Sequence, residues 1–331
     1  MDELRFGTAM TVALVVNPRS GKNCGKGLAL IEKLIPSSGV EAVIIDRFEA
    51  LPGILAALAE RDVGTLFISS GDGTIQAIQT ELAERNPFAR LPQLSLLSHG
   101  TTNMTAADLG LGIGDLDEQA RIICDPLALA SATVLRRRPT LRIVNPRDGR
   151  LCHGMFIGAG AVWQATKYCQ DAVHRTGLKG DWATFATLAT AVARAMFTRS
   201  DPGDVTRIDR PHAMQVSADG LVRCDGQHLA FIATTLHKLI LGSRPFWGGA
   251  SAPIRATVFP YPVPSPARWL IPSLFGGEDR KAPPGAASFA AECIDIATAS
   301  PFVIDGEFFD PPEDGPLNIE TGPEFAYVCR R

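Results

Sequence analysis

Three short glycine-containing loops in the first third of the chain carry the residues best suited to chemistry. They are Asn17–Gly21 (NPRSG), Ser70–Thr74 (SGDGT) and Ser98–Asn103 (SHGTTN), and each follows an apolar run and precedes a helical pattern. Glycine allows backbone N–H groups to approach an anion closely, and a helix N-terminus favours negative charge. One such loop indicates only a turn, but three together predict a phosphate-binding crevice.

The segments around these loops alternate between strand and helix patterns. Apolar runs at Thr11–Val16, Thr65–Ser69 and Leu94–Leu97 predict buried strands, and the segments between them repeat apolar residues at helical spacing. This alternation predicts a doubly wound parallel sheet. Because the loops at the carboxyl ends of such strands gather in one crevice, we expect the sheet to bring the three loops together.

The pattern changes after about residue 125, where short apolar segments are separated by turns. Such a pattern is typical of an antiparallel β-sandwich. A helical insertion, predicted over Ala161–Val173 and Asp181–Phe197, interrupts it. A chain of 331 residues is long enough for two domains. We therefore expect an α/β nucleotide-binding domain at residues 1–130, followed by a β-sandwich domain at residues 131–331.

Composition and charge exclude several classes of protein. Hydrophobic residues make up 46% of the chain and charged residues 20%, which excludes a disordered chain or a coiled coil. The net charge of -3 argues against a nucleic-acid-binding surface. The seven cysteines are widely spaced without a CxxC pair, so we expect reduced thiols in a cytoplasmic protein. The sequence begins without a signal-peptide pattern, and no apolar run reaches the ~18–20 residues that span a bilayer.

The familiar nucleotide-binding motifs do not occur in the sequence. The segment nearest to GxxxxGK[ST] is Gly21–Gly27, which lacks the hydroxyl residue. No GxGxxG motif follows the first predicted strand. The sequence therefore disfavours a Walker-type NTPase and an ordinary dinucleotide enzyme.

In their order and spacing, the loop motifs resemble those of the diacylglycerol kinase catalytic-domain family, which includes the bacterial YegS-like lipid kinases and the sphingosine and ceramide kinases. The matching elements are Asn17–Gly21, Ser70–Thr74, Gly100–Asn103 and a late Asp-Gly-Glu at Asp305–Glu307, so the resemblance covers nearly the whole chain. It implies a nucleotide domain akin to those of phosphofructokinases and NAD kinases, a C-terminal β-sandwich, and an active site in the cleft between them. It also implies ATP and Mg²⁺, with transfer of the γ-phosphoryl group to a lipid hydroxyl.

The resemblance further implies roles for individual residues. Asp72, Asp305 and Glu307 are the implied catalytic residues, and Asp72 is also the implied metal ligand. The implied nucleotide-binding positions are Asn17, Ser20, Gly21, Ser70, Gly71, Asp72, Gly73, Thr74, Gly100, Thr101 and Asn103. We favour Glu307 as the base and Asp72 as the partner of the metal or nucleotide, and the reverse assignment stays open. An aspartate at such a turn also commonly caps a helix, and Asp305-Gly306 alone is a favoured hairpin turn.

The chain departs from the family pattern at three places. Many bacterial members continue the third motif with Asp-Phe-Ala, whereas Asn103 is followed here by Met-Thr-Ala. The family often has an acidic, metal-binding loop before a late strand, but the corresponding segment Gly248–Ala256 contains no acid, so we expect no secondary metal site. Ser70 stands where glycine is more usual, as it does in sphingosine kinases, which hints at a sphingolipid substrate.

A lipid kinase must take its substrate from a bilayer, and two apolar segments are candidates for that contact. Trp182–Phe197 is a largely apolar helical pattern, and Arg268–Phe275 combines a tryptophan with aliphatic residues and a cation. Either segment suits the membrane interface, where tryptophan is favoured. The alternative for both is a place in the core or in the lining of an acyl-chain pocket.

The leading hypothesis is therefore an ATP-dependent lipid kinase acting on ceramide or diacylglycerol. We expect it in the cytoplasm, peripherally associated with the inner face of the membrane, with a lipid substrate and no nucleic-acid partner. The sequence leaves open whether the protein forms a homodimer. The alternatives are an NAD-kinase-like enzyme acting on a small soluble molecule, and a non-catalytic nucleotide- or lipid-binding protein of the same fold.

Overall fold

The computed structural model of the protein describes residues 11–20, 24–176, 207–269 and 271–331. They divide into two units. The first comprises the described residues up to Thr140 together with Pro323–Arg331, and the second is Leu141–Gly322. The sequence predicts a single division at residue 130. It does not predict that the last segment, Pro323–Arg331, returns to the first unit. The return has a simple basis, because Tyr327 pairs with Leu94 in the sheet of the first unit.

The first unit alternates between strands and helices. In chain order these are β1 (Thr11–Val16), α1 (Cys24–Lys33), β2 (Glu41–Ile44), α2 (Leu51–Glu60), β3 (Val63–Ser70), α3 (Asp72–Arg85), β4 (Gln93–Ser98), α4 (Met104–Leu109), α5 (Leu116–Cys124) and α6 (Pro126–Ala132). Short 3-10 turns lie at Pro36–Ser38 and Phe48–Ala50. The alternation confirms the pattern predicted from the apolar runs.

The remaining elements are mostly strands. They are β5 (Thr133–Ile143), β6 (Cys152–Gly154), β7 (Phe156–Gly160), α7 (Ala161–Thr176), β8 (His212–Ala218), β9 (Leu221–Thr234), β10 (Ile254–Pro260), α8 (Pro266–Trp269), β11 (Ala287–Ala291), β12 (Cys293–Thr298), β13 (Phe302–Ile304), β14 (Glu307–Phe309) and β15 (Leu317–Arg330). Short 3-10 turns lie at Ile240–Gly242 and Pro272–Leu274. Strands β5 and β15 each pass from one unit into the other.

The sheet of the first unit has the strand order β15-β4-β3-β1-β2, and every neighbouring pair is parallel. Its central strands are apolar because both of their faces are covered. Leu14, Phe67 and Leu97 are almost completely buried in one core cluster with residues of α5 and α6. The predicted parallel α/β sheet is thus confirmed, with β15 as an additional strand beside β4.

Nine of the described strand pairs in the second unit are antiparallel. Its main strand order is β14-β13-β7-β9-β8-β12-β15, while β10 pairs with β9 and β11, and β5 pairs with β6 and β15. The inward-facing residues form one apolar cluster that includes Ile157, Phe231 and Val258. This confirms the antiparallel, strand-rich second half expected from the sequence.

Two strands differ from the sequence-based expectation. The pattern predicts separate strands at Thr133–Arg138 and Leu141–Val144, whereas β5 is continuous through Pro139. Proline can be accommodated in a strand where its missing N–H is not needed for pairing. The polar, proline- and glycine-rich segment Glu278–Ala287 predicts a loop, whereas β11 already begins at Ala287, and its small residues (ASFAA) give only a weak β signal.

The helical insertion begins as α7, which confirms its first predicted segment, Ala161–Val173. The second predicted segment, Asp181–Phe197, lies outside the described residues. Among the helices that are described, none has both the length and the apolar character needed to cross a membrane.

Candidate functional site

The three glycine-containing loops follow β1, β3 and β4, and hydrogen bonds join them where these parallel strands end. The backbone N–H of Asn17 donates to the carbonyl of Ser69 at 3.2 Å. The backbone N–H of Gly71 donates to the hydroxyl of Ser20. The first loop is therefore attached to the second along the carboxyl edge of the sheet, as the sequence predicts.

Asn17 holds the first loop to the start of α3. Its side chain is 9% exposed, and its amide nitrogen donates to the hydroxyl of Thr74 at 2.9 Å. The amide oxygen accepts from the backbone N–H of Arg19 at 2.9 Å, which closes the turn. Each polar end of this asparagine makes one hydrogen bond within the protein, and these two bonds hold the loop in position, while its contact with a nucleotide stays a prediction.

The second and third loops touch through two glycines. A Cβ at Gly100 would overlap the backbone of Gly71, and a Cβ at Gly71 would lie 3.3 Å from the Cα of Gly100. Atoms of ordinary side chains do not fit in so small a space. The glycines of these two motifs are thus required because two backbones approach each other closely.

Asn103 shapes the third loop. Its φ of 50° is in the left-handed region, which asparagine tolerates better than most residues. Its amide oxygen accepts from the N–H of Gly100 at 2.7 Å, and its amide nitrogen donates to the carbonyl of Gly100 at 2.9 Å. The loop is closed on itself, and the side chain of Thr101 at its tip is exposed.

Asp72 joins the second loop to the helix that follows the third. It is the first residue of α3 and is 8% exposed. Its two carboxylate oxygens accept from the backbone N–H groups of Met104 and Thr105, each at 3.0 Å, at the start of α4. Burial raises the pKa of Asp72, because the charged form loses its hydration, and the two backbone donors oppose this rise.

The surroundings of Asp72 bear on its implied role as a ligand of magnesium. Each carboxylate oxygen of Asp72 accepts one hydrogen bond inside the protein and keeps a second lone pair, and magnesium is usually bound by one or two carboxylates together with substrate phosphates. In the parts of the chain that are described, no three His, Cys, Asp or Glu side chains cluster in a way that would hold a metal. The two hydrogen bonds anchor the start of α4, whereas the N-cap of α3 is Gly71, so Asp72 does not cap the helix that it begins.

Two further residues lie behind the loops: His99, for which the sequence leaves open a contact to the nucleotide or a place on the surface, and Gly27, which the sequence does not single out. His99 is 4% exposed, and its Nδ1 lies 2.8 Å from the hydroxyl of Ser69. Burial lowers the pKa of His99 to about 4, and the charge of Lys26 acts in the same direction. Gly27 allows α1 to approach the sheet, since a Cβ there would lie 2.5 Å from side-chain atoms of Ser69 and Val16. A glycine inside a helical pattern was the signal for this contact.

Asp305 and Glu307 belong to the second unit. Asp305 and Gly306 form the two-residue turn between β13 and β14, with Ile304 paired to Glu307. Both turn residues have positive φ, 46° and 93°, as this type of hairpin requires. The expected hairpin turn is therefore confirmed.

The two acidic residues of this hairpin have different surroundings. Asp305 is 5% exposed, and its carboxylate accepts from the backbone N–H groups of Met155 at 2.8 Å and Phe156 at 3.0 Å. It therefore fixes the hairpin to the start of β7. Glu307 is exposed, so its carboxylate is accessible to a substrate.

The structure thus brings most of the predicted nucleotide-binding residues together. Those gathered in the first unit are Asn17, Ser20, Ser70, Gly71, Asp72, Gly73, Thr74, Gly100, Thr101 and Asn103. Gly21 lies outside the described residues. Asp305 and Glu307 form a separate group on the hairpin of the second unit.

The sequence of the loop-bearing region matches a known family. Residues 11–133 match the model of the diacylglycerol kinase catalytic domain. This stretch, which is less than half of the chain, is similar to the catalytic domain of that family. The catalytic domain so defined begins with β1, ends at the first residue of β5 and contains all three loops, whereas Asp305 and Glu307 lie beyond it. A search of curated protein sequences found no match.

Similarity of fold extends past the catalytic domain. Two solved structures from Bacillus anthracis, both assigned as diacylglycerol kinases, align with nearly the whole chain. One is 16% identical with a TM-score of 0.63 over 98% of each chain. The other is 15% identical with a TM-score of 0.59, over 97% of this chain and 96% of that one. At these identities the likeness establishes a shared fold, which includes the strand-rich second half.

Proposed function

We propose that the protein is an ATP-dependent lipid kinase, which transfers the γ-phosphoryl group to the hydroxyl of a two-chain lipid alcohol such as ceramide or diacylglycerol. The observation that carries this proposal is the junction of three glycine-containing loops inside a diacylglycerol kinase catalytic domain. Phosphoryl transfer requires mainly that the protein positions the nucleotide and the acceptor and that the charge of the phosphates is neutralised. Backbone loops fixed to one another meet the first requirement.

The described residues divide into those that position the loops and those that are free to contact ATP. The side-chain polar atoms of Asn17, Asp72 and Asn103 form hydrogen bonds within the protein. Thr101 and Arg19 are exposed and offer a hydroxyl and a guanidinium to a phosphate chain. Any Mg²⁺ would accompany the nucleotide, and Asp72 stays its implied protein ligand.

Glu307 is the favoured base for the acceptor hydroxyl. An exposed carboxylate can accept that proton directly, whereas Asp305 is committed to two backbone donors. The proposal requires Glu307 to come within hydrogen-bonding distance of the lipid hydroxyl while ATP is bound by the loops. Asp305 then acts by fixing the hairpin that presents Glu307.

The identity of the acceptor is proposed only as a class. Ser70 suggested a sphingolipid, but its side chain is fully buried and its hydroxyl bonds the carbonyl of Gly71 at 3.1 Å. A residue in that position supports the loop and does not itself select a lipid. Ceramide and diacylglycerol are therefore both acceptors to be tested.

Incubation of the purified protein with radiolabelled ATP and Mg²⁺ tests this function. The acceptors are ceramide, a sphingoid base, diacylglycerol and monoacylglycerol in detergent micelles, together with NAD as a soluble acceptor. Transfer of label to one of the lipids supports the proposal. Transfer to NAD alone would establish a soluble-substrate kinase instead, and ATP binding without transfer to any acceptor would indicate a non-catalytic protein.

A further inference from the structure

An apolar surface on the second unit is formed by two neighbouring segments. The first is the turn at Ile240–Gly242, whose tip exposes 52% of Ile240 and 78% of Leu241. The second follows α8, where Ile271, Leu274 and Phe275 are exposed by 67%, 42% and 40%. Turn tips usually carry polar residues or glycine, so five large apolar side chains in such positions call for an explanation.

Backbone hydrogen bonds hold the two segments side by side. The N–H of Arg244 donates to the carbonyl of Leu274 at 2.7 Å, and the N–H of Gly276 donates back to the carbonyl of Arg244 at the same distance. The buried residues Leu239 and Phe246 anchor the first segment on either side of its tip. We call the five exposed side chains Ile240, Leu241, Ile271, Leu274 and Phe275 the apolar patch.

Leu241 is unfavourable in this position in two ways. Its φ of 56° is in the left-handed region, where a large side chain is strained and where glycine or asparagine is the usual choice. Its side chain is also mostly exposed to water. Neither property helps the fold of the described residues, so a leucine at the tip is better explained by an apolar partner outside that part of the chain.

Positive charge accompanies the apolar patch. The guanidinium of Arg268 lies 5.9 Å from the ring centre of Trp269, and Arg280 donates to the carbonyl of Phe275 at 3.1 Å. The exposed charged residues of the two segments and the loop after them are Lys238, Arg244, Arg268, Arg280 and Lys281, against Glu278 and Asp279. Cations therefore predominate here, although the whole chain carries a net charge of -3.

We propose that the apolar patch docks the protein on a membrane surface that contains anionic lipids. Apolar side chains at a tip enter the boundary between headgroups and acyl chains, while neighbouring cations bind phosphate and carboxylate groups of the lipids. A half-buried tryptophan beside an arginine is suited to the headgroup level. This inference goes beyond the proposed kinase activity, because docking is measured without nucleotide or turnover.

Co-sedimentation with vesicles of phosphatidylcholine, with and without phosphatidylserine, tests the docking surface. The test variant is Leu241→Ser combined with Ile271→Ser, and the matched control is Leu127→Ser, which changes a leucine that is 81% exposed on the first unit. We expect the double variant to reduce binding to the anionic vesicles by about tenfold or more, from the apolar area removed. The control should bind as the unaltered protein does.

A second variant separates the contribution of charge. Arg268→Gln combined with Arg280→Gln should weaken binding to the anionic vesicles and leave the weak binding to pure phosphatidylcholine unchanged. Thermal unfolding of each variant checks that the fold is intact, which these exposed positions allow. Absence of vesicle binding by the unaltered protein, or equal binding by all variants, would overturn the proposal. A third result would also overturn it: the unaltered protein is a dimer that does not bind vesicles, and the Leu241/Ile271 variant is a monomer. The apolar patch would then contact a second copy of the chain.

Discussion

Asp72 lies in the most recognisable of the loop motifs, yet its carboxylate is directed at two backbone N–H groups of α4. We expect Asp72→Asn to lower the free energy of unfolding by about 1–3 kcal/mol, because an amide can accept from only one of these donors. The displaced α4 and third loop should also reduce kinase activity by at least ~10²-fold. Urea denaturation and a lipid kinase assay measure the two effects.

Asp46→Asn is a suitable control for this substitution, since Asp46 is exposed after β2 of the same unit. It should leave stability and activity essentially unchanged. Full stability of Asp72→Asn together with lost activity would contradict the anchoring role and would favour Asp72 as a contact to the metal or nucleotide.

Glu307 is the exposed acidic residue of the hairpin, and its proposed role is separate from nucleotide binding. Glu307→Gln keeps the shape of the side chain and removes its charge. We expect kcat to fall by at least ~10²-fold while the KM for ATP stays nearly constant, because a base affects the chemical step. Glu313→Gln, at another exposed position of the second unit, is the control and should behave as the unaltered protein. Weakened ATP binding with kcat preserved would reverse the assignment.

His99 makes the first unit sensitive to acid. The pKa of His99 is lowered from its ordinary value of 6.5 to about 4 in the folded protein. Between these two pH values the unfolded chain therefore binds a proton that the folded chain does not. The free energy of unfolding therefore falls as pH decreases through this range, and it is fully maintained above it. We expect His99→Gln to flatten this decline in urea titrations followed by circular dichroism between pH 7 and 4. An unchanged slope would show that other groups cause the acid sensitivity.

At the scale of single elements, the contact between the second and third loops leaves no space for a side chain at Gly100. Gly100→Ala places a methyl group against the backbone of Gly71, so we expect a loss of about 1–3 kcal/mol of stability and a clear loss of ATP binding. Gly114→Ala adds the same methyl group where nothing lies within 4 Å, and it should be nearly neutral. Equal behaviour of the two variants in calorimetry would argue against a tight loop junction.

The strands and the loop motifs of the first unit could be predicted because their signals are local. Buried parallel strands are continuous apolar runs, and glycines mark the turns that follow them. The environment of Asp72 could not be predicted, since it depends on the packing of α3 against a helix that begins 32 residues later. The pairing of Tyr327 with Leu94 is equally non-local, and a strand-like pattern at the end of the chain does not reveal its neighbour.

At the scale of the whole molecule, the family match and the structural unit do not coincide. Residues 11–133 match the catalytic domain, but the first unit also needs Pro323–Arg331. Phe325 and Tyr327 are fully buried there, and Gln79 donates to the Tyr327 hydroxyl at 2.7 Å. We expect an isolated fragment 11–140 to aggregate, because β4 would become an unprotected edge strand. Addition of a peptide spanning residues 317–331 should raise its solubility and melting temperature, and a fragment that is equally stable without the peptide would contradict this view.

The position of β15 also has a consequence for the way the protein is made. A ribosome releases β1 to β4 early but releases their last neighbour only after the entire strand-rich second unit has been synthesised. Until then the nascent chain carries an open sheet edge, of the kind that chaperones protect. Completion of the nucleotide-binding unit is thus coupled to full-length translation. A premature stop shortly before residue 323 would leave the second unit almost whole, and it would damage the first unit, whose other strands have already been synthesised.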